Sequence, residues 1–277
     1  MNKLYYTLGA PSWFPGFFSC YQVVVGFLDY CENTNPLGYR VKFEKGLYFD
    51  SSVGDNWWEY YFEPINNGNY NEEYNENVSD SLKSQWSTDA ISTISQNRAC
   101  EIITKYIKLK PHIKQKIDNF KLINYNSSHI IGVHYRGTDK SSEAVPCSYD
   151  YIKNIIKNYY IDGKSKIFVA TDENQFVDYL IGIFGFKNVC FYESIRSYNN
   201  SIPIHHNPEK NGGENQVLNN RYKLGEDVVI DCYLLSMTDI LIKTQSNVSS
   251  SACNINPKLQ FINTNESRKN FKEKNIR

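Results

Sequence analysis

The sequence lacks several features that would assign it quickly to a class. Its 277 residues carry 30 basic and 30 acidic side chains, so the formal net charge is zero. Proteins that bind nucleic acid usually show a basic excess, so we expect no nucleic-acid partner. No apolar run reaches the 18 or so residues that span a membrane, and we expect no membrane span. The first residues are too polar for a signal peptide, so we expect a cytoplasmic protein.

The cysteines also exclude two kinds of site. There are seven, an odd number, and they are scattered without any Cys-x-x-Cys pair. Zinc ligation and a redox pair are therefore disfavoured, and reduced, buried thiols fit better. Asp-x-Asp is missing as well. A pair of that kind can hold a metal ion against a diphosphate, so no metal and no cofactor are expected.

Hydrophobic patterning predicts an α/β protein with two domains. The second half alternates short apolar strands with helices, which is typical of a doubly wound parallel sheet. A polar stretch at 121–128 suggests the boundary, so the predicted domains are 1–125 and 126–277. A long polar loop is expected at 199–220, an exposed loop at 66–80, and two helices separated at Pro111.

The first half contains one candidate ligand loop and one aromatic block. Gly16 and Phe17 lead into an apolar helix, with Ser19 as the expected N-cap, and a loop that feeds a helix N-terminus suits anion binding. A plain core helix is an equal alternative. The aromatic block at 55–64 could be a sugar platform, although such clusters are more often core.

The densest group of functional side chains follows a predicted strand at 130–135. The stretch holds His134, Arg136, Asp139, Lys140 and Glu143. In open α/β sheets, ligands bind at the carboxyl ends of strands. A guanidinium at Arg136 could grip a phosphate with two donors, and Gly137 beside it would let the backbone approach closely. The alternative is an ordinary surface ion pair between Arg136 and Asp139.

Two further predicted strands end in polar residues. One is followed by Thr171, Asp172 and Glu173, the other by Thr244, Ser246 and Asn247. Because parallel strands end at a shared edge, we expect these groups to converge with Arg136. Ser246 and Asn247 also open a helix, where N–H groups can hold a phosphate; simple capping is the compatible alternative.

Asp231 lies on a helix that is apolar nearly all round, which is typical of a buried helix. A buried carboxylate is costly unless it is paired or hydrogen-bonded. The residues leave two kinds of partner open: a protein Arg or Lys, which we place first, or the adjacent N–H donors of a guanine edge.

Three segments together resemble a known family. Gly132-Val133-His134-Tyr135-Arg136-Gly137-Thr138-Asp139-Lys140 is similar to the His-x-Arg-Arg-Thr-Asp-Lys motif of the α1,6-fucosyltransferases and nodulation fucosyltransferases, within the superfamily that includes the protein O-fucosyltransferases. Ala170-Thr171-Asp172-Glu173 resembles their Ala-Thr-Asp-Asp segment, and 227–246 resembles their third motif. Order and spacing agree over about residues 130–255. Two positions depart: Gly137 replaces the second Arg, and Glu143 stands one residue closer to Asp-Lys.

The resemblance implies a GT-B-like glycosyltransferase with two Rossmann-like halves, in which the second half binds GDP-fucose and the sugar is inverted without metal. By position, His134 and Asp231 would contact guanine, Arg136 the β-phosphate, and Ser246 and Asn247 the phosphates. Gly137, Asp172, Gly16 and Phe17 would complete the donor site. Asp139, Lys140 and Glu143 would act on a glycan or protein acceptor. Another nucleotide sugar, or an inactive glycan-binding module, remains an alternative.

Overall fold

The computed structural model describes residues 5–10, 16–67, 75–77, 94–126, 129–137, 147–197 and 221–264. The chain forms two compact units. The first comprises Met1–Lys114 with Arg221–Glu226, and the second Gln115–Asn220 with Asp227–Arg277. Each unit contains its own parallel sheet. The predicted fold class, α/β with two Rossmann-like halves, is confirmed.

The first unit is built on a three-stranded sheet in the order β2-β1-β3. Its elements are β1 (Tyr5–Gly9), α1 (Phe17–Thr34), β2 (Gly38–Lys42), a short 3-10 helix (Trp57–Tyr60), β3 (Asn75–Asn77) and α2 (Gln96–Tyr106). The α3 helix (Pro111–Asn124) follows and begins at the proline that separates the two predicted helices.

Two expectations for this unit were wrong. The α1 helix begins at Phe17, and Gly16 rather than Ser19 is its N-cap. The Ser19 amide donates to the Gly16 carbonyl at 3.0 Å, so Ser19 lies within the first turn. The region predicted as an exposed loop contains β3, which pairs with β1. Backbone hydrogen bonds form this pairing, and a polar segment can supply them without apolar periodicity.

The aromatic block is core, as the more frequent alternative predicted. Trp58 and Phe62 are fully buried and stacked, with ring centroids 4.4 Å apart. The Phe17 ring packs edge-on against Tyr48 and Tyr61. These rings close the first unit's interior, so the block does not present a sugar platform.

The second unit is a five-stranded parallel sheet in the order β6-β5-β4-β7-β8. Its strands are β4 (His129–Tyr135), β5 (Ser165–Thr171), β6 (Val189–Cys190), β7 (Ile240–Lys243) and β8 (Gln260–Asn263). Its helices are α4 (Tyr149–Tyr159), α5 (Asn174–Phe184), α6 (Arg221–Ser236) and α7 (Asn247–Ile255). The chain runs outward from β4 to β6, then returns to β4's other side with β7. The strand order therefore reverses between β4 and β7, where such sheets bind ligands.

Local signals explain several of these boundaries. The Ser148 hydroxyl caps α4 by accepting from the Tyr151 amide, as predicted. The α6 helix begins five residues before the predicted start. Its first turn is polar, so the apolar pattern did not include these residues. The long polar loop predicted at 199–220 lies outside the described residues.

The central strand β4 also depends on a glycine. A Cβ at Gly132 would lie 2.7 Å from Thr238 Oγ1 and 2.9 Å from its Cγ2. Thr238 is itself buried and its hydroxyl donates to the Leu235 carbonyl. The turn between α6 and β7 can therefore pack against β4 only where β4 has no side chain.

We expect Gly132→Ala to lower the free energy of unfolding by about 1–3 kcal/mol, the usual cost of overpacking. Adding Thr238→Ala, which removes the two nearest atoms, should recover part of this loss. Gly182→Ala is the matched control, because Gly182 is an exposed residue of helix α5 and no atom lies within 4 Å of a Cβ built there. That change should be neutral or stabilising by up to about 1 kcal/mol. Urea unfolding measures all three, and equal effects of Gly132→Ala and Gly182→Ala would contradict the packing argument.

Candidate functional site

Three strand ends meet at the carboxyl edge of the five-stranded sheet. His134 of β4 is in register with Ala170 of β5 and Lys243 of β7. Beyond the strands, the Thr244 amide donates to the His134 carbonyl at 3.0 Å. On the β5 side of β4, the Gly137 amide donates to Asp172 Oδ1 at 3.1 Å. The structure thus brings together the groups that the sequence placed after three separate strands.

His134 is buried between β4 and the start of α7. Its Nδ1 lies 3.3 Å from the Thr244 hydroxyl, and its Nε2 lies 3.4 Å from the Ser246 hydroxyl. Each ring nitrogen therefore faces a hydroxyl of the segment that follows β7. These contacts fix the plane of the imidazole and tie it to the N-terminus of α7.

The start of α7 is organised by serines. Ser246 is the N-cap, and its hydroxyl accepts from the Ser249 amide at 3.3 Å. The Ser249 hydroxyl donates back to the Thr244 carbonyl at 2.8 Å. The expected capping by Ser246 is confirmed. The positive end of the helix dipole, with Asn247 as first residue, lies at the sheet edge, an arrangement that suits an anion.

Gly137 is in close contact with Glu173, a residue that the sequence did not single out as a site residue. A Cβ on Gly137 would lie 1.9 Å from Glu173 Oε1. Glu173 is 3% exposed, and the Tyr149 hydroxyl donates to its other oxygen. The carboxylate therefore fills the space where a side chain at 137 would begin. With Glu173 in this position, a larger residue at 137 would require the carboxyl to move.

The environment of Glu173 favours its neutral form. Burial raises the pKa of its carboxyl above the ordinary value, and the neighbouring Asp172 raises it further. The hydrogen bond from Tyr149 lowers the pKa, but its effect is smaller than that of burial. Arg136, which precedes Gly137 in the chain, is partly buried.

Asp231 is buried in α6 and contacts the loop after β6. The Ser194 hydroxyl donates to Asp231 Oδ2 at 3.1 Å. One turn earlier, Asp227 Oδ2 accepts from the Ile195 amide at 2.9 Å. The same loop reaches β5, because the Ser197 amide donates to the Asp172 carbonyl at 2.8 Å. Sequence reasoning missed this loop, since its residues carry no periodicity and follow a strand of two residues.

The remaining predicted residues fall elsewhere. Asp139, Lys140 and Glu143 lie outside the described residues. Gly16 and Phe17 belong to the first unit, where the Phe17 amide donates to the Tyr48 hydroxyl at 3.0 Å and the ring is core. Their role toward a ligand stays a prediction.

Two kinds of feature are missing from the described part of the chain. No three His, Cys, Asp or Glu side chains there are grouped so as to hold a metal ion. None of its helices has both the length and the apolar character needed to cross a membrane.

The fold is that of solved fucosyltransferases. Fucosyltransferase NodZ from Bradyrhizobium matches with TM-score 0.58 and 15% identity over 91% of this chain and 93% of that chain. NodZ alpha-1,6-fucosyltransferase soaked with GDP-fucose gives 0.60 and 15% over 92% and 93%. POFUT1 in complex with GDP gives 0.54 and 11% over 94% and 98%. No family model and no curated protein matches the chain. The predicted resemblance is confirmed for the fold.

We expect Glu173→Gln to change how stability depends on pH. Because its folded pKa is raised, Glu173 favours the folded state fully below its unfolded pKa, and this contribution is lost as pH rises through the folded pKa. Gln cannot ionise, so the variant should gain stability relative to wild type as pH rises above the ordinary pKa of a glutamate.

Urea unfolding at several pH values measures this difference. Glu193→Gln, at an exposed glutamate on the loop after β6, is the matched control and should give a curve parallel to wild type. Parallel curves for Glu173→Gln and wild type would show that the buried carboxyl titrates normally.

Proposed function

We propose that the protein is a glycosyltransferase that transfers fucose from GDP-fucose to a glycan or protein hydroxyl, with inversion and without a metal. One observation carries the proposal. Buried His134 contacts Ser246 at the N-terminus of α7, and Arg136 follows His134 by two residues, at the edge where the strand order reverses. The fold is shared with one enzyme solved with GDP and one soaked with GDP-fucose. The acceptor is proposed only as a class, a hydroxyl compound.

The donor phosphates would lie between Arg136 and α7. Transfer requires the departing diphosphate to be stabilised by fixed donors, and the Arg136 guanidinium together with the α7 N-terminus would supply them. Ser246 and Asn247 would contribute at the helix start. The Gly137 backbone, held by Asp172, would keep this edge open for close approach.

Guanine would be held by the groups that the resemblance assigns to it. Asp231 offers a carboxylate that could accept from adjacent N–H donors of the base, and its burial would make such hydrogen bonds strong. His134 would lie beside it and orient the Ser246 hydroxyl through Nε2. Gly16 and Phe17 are proposed to serve the donor through their backbone.

The acceptor hydroxyl needs a base as it attacks the anomeric carbon. Glu143 and Asp139 qualify by chemical type, with Lys140 tuning their charge. In the inverting reaction the base takes the hydroxyl proton, the new C–O bond forms on one face, and GDP leaves from the other. The base is assigned within 139–143 by the sequence alone.

Two alternatives use the same geometry. A transferase of this fold could take another nucleotide sugar, since guanine and fucose are assigned by resemblance. An inactive glycan-binding module would keep the fold without turnover. Arg136, Asp139 and Lys140 together favour an enzyme.

The seven free cysteines support the proposed cytoplasmic location.

We expect GDP and GDP-fucose, but not UDP or ADP, to raise the melting temperature. A ligand at a hundredfold excess over its Kd stabilises by about 2.7 kcal/mol. Asp231→Asn should reduce the GDP shift, whereas Asp178→Asn, on an exposed position of α5, should leave it unchanged. Equal shifts with all three diphosphates would remove the guanine assignment.

We also expect transfer, or hydrolysis of GDP-fucose, to proceed unchanged in EDTA. The reason is the missing Asp-x-Asp and the presence of protein donors for the phosphates. Initial rates with and without the chelator make the test. Activity that disappears on chelation and returns with manganese would overturn metal independence.

A further inference from the structure

The loop after β6 is folded around a buried guanidinium. Arg196 is 7% exposed, and its Nη1 and Nη2 donate to the carbonyls of Ser194 and Tyr192 at 3.2 and 2.6 Å. Its guanidinium carbon lies 5.1 Å from the centre of the Phe191 ring. One side chain therefore satisfies two carbonyls of its own loop and closes the segment 191–196 into a compact turn.

This cation is expensive to bury. Within the described residues no carboxylate lies within ion-pair distance of Arg196, and its buried Nε has no hydrogen-bond partner. An unpaired buried charge costs several kcal/mol, roughly, and an apolar side chain of similar size would fill the space at lower cost. The guanidinium must therefore contribute something that packing does not, and the two directed hydrogen bonds to the loop carbonyls are what it provides.

The same loop also contacts two carboxylates of α6, those of Asp227 and Asp231. Ser194 accepts from Arg196 with its carbonyl and donates to Asp231 with its hydroxyl. Ile195 donates to Asp227, four residues before Asp231 on the same helix face. A chain of hydrogen bonds thus runs from the buried cation through Ser194 to Asp231, and linked hydrogen bonds strengthen one another.

The geometry points to Ser194 and Arg196 as positioning residues for the Asp231 carboxylate, and through it for the nucleobase of the donor. Ser194 orients the carboxylate by donating a hydrogen bond to Oδ2, and Arg196 positions Ser194 by donating to its carbonyl. This inference rests on the proposed function, because it takes Asp231 as the group that meets guanine. Neither residue touches the reacting atoms.

The direct test is Ser194→Ala, which removes one hydroxyl from a partly buried position. We expect Kd for GDP to rise about tenfold, the effect of losing one hydrogen bond to a charged group. Kd for IDP, whose base lacks the guanine 2-amino group, should rise less, so the preference for GDP over IDP falls. In hydrolysis of GDP-fucose, KM should rise while kcat stays unchanged, because the base is bound equally before and during the reaction.

Arg196→Lys and Arg196→Met extend the test. Lys keeps the charge but loses the planar pair of donors, so its effect on GDP affinity should lie between those of wild type and Met. Glu193→Gln, on the same loop and exposed, is the control and should bind GDP like wild type. Melting curves show whether each variant is folded, and Ser194→Ala decides the question if Arg196→Met is not.

The outcomes separate the two proposals. Wild type that fails to bind GDP removes both the proposed function and this inference. Wild type that binds GDP, with Ser194→Ala binding GDP and IDP unchanged, overturns the inference alone. Equal weakening of GDP and IDP by Ser194→Ala also overturns it, since a merely loosened loop would affect both nucleotides alike.

Discussion

The site depends on the pairing of β4 with a parallel strand on each side. Hydrogen bonds to β5 and β7 fix the register, so His134 is aligned with both Ala170 and Lys243. Everything that follows those positions then lies at one edge: the Arg136–Gly137 turn, the Asp172–Glu173 turn and the serine-rich start of α7. The reversal of strand order between β4 and β7 leaves room there, because the connections leave the edge in opposite directions.

Within this frame, burial decides how charge is distributed. His134 is held by two hydroxyls, and Asp231 accepts from Ser194, so each buried group has a directed partner. Glu173 also has a directed partner, the Tyr149 hydroxyl, but its carboxyl occupies the space beside Gly137 and burial raises its pKa.

Much of this could be predicted from the sequence, because strong local patterns specified it. Alternating apolar segments predicted the second sheet, and Ser148 and Ser246 indicated where the two helices that they cap begin. Other features depend on tertiary contacts. Gly16, as N-cap without a side-chain hydrogen bond, gave no signal that α1 begins before Ser19. Arg196 looked like an ordinary loop residue, and only the folded loop shows its buried contacts with Tyr192 and Ser194. Glu173 and Gly137 follow two different strands, β5 and β4, and come close only in the folded sheet.

The most direct test of the central claim is the turnover of Arg136→Lys with GDP-fucose. Lys keeps the charge and loses the planar fork, so the account predicts a fall in kcat of about 10²–10³-fold, the scale of losing one fixed transition-state donor. Arg98→Lys, in the ion-pair cluster with Asp29 and Glu32, is the matched control and should keep normal turnover. Circular dichroism melts should show both variants folded. Near-normal turnover of Arg136→Lys would make Arg136 a structural ion-pair residue and would contradict the assignment of this sheet edge as the phosphate site.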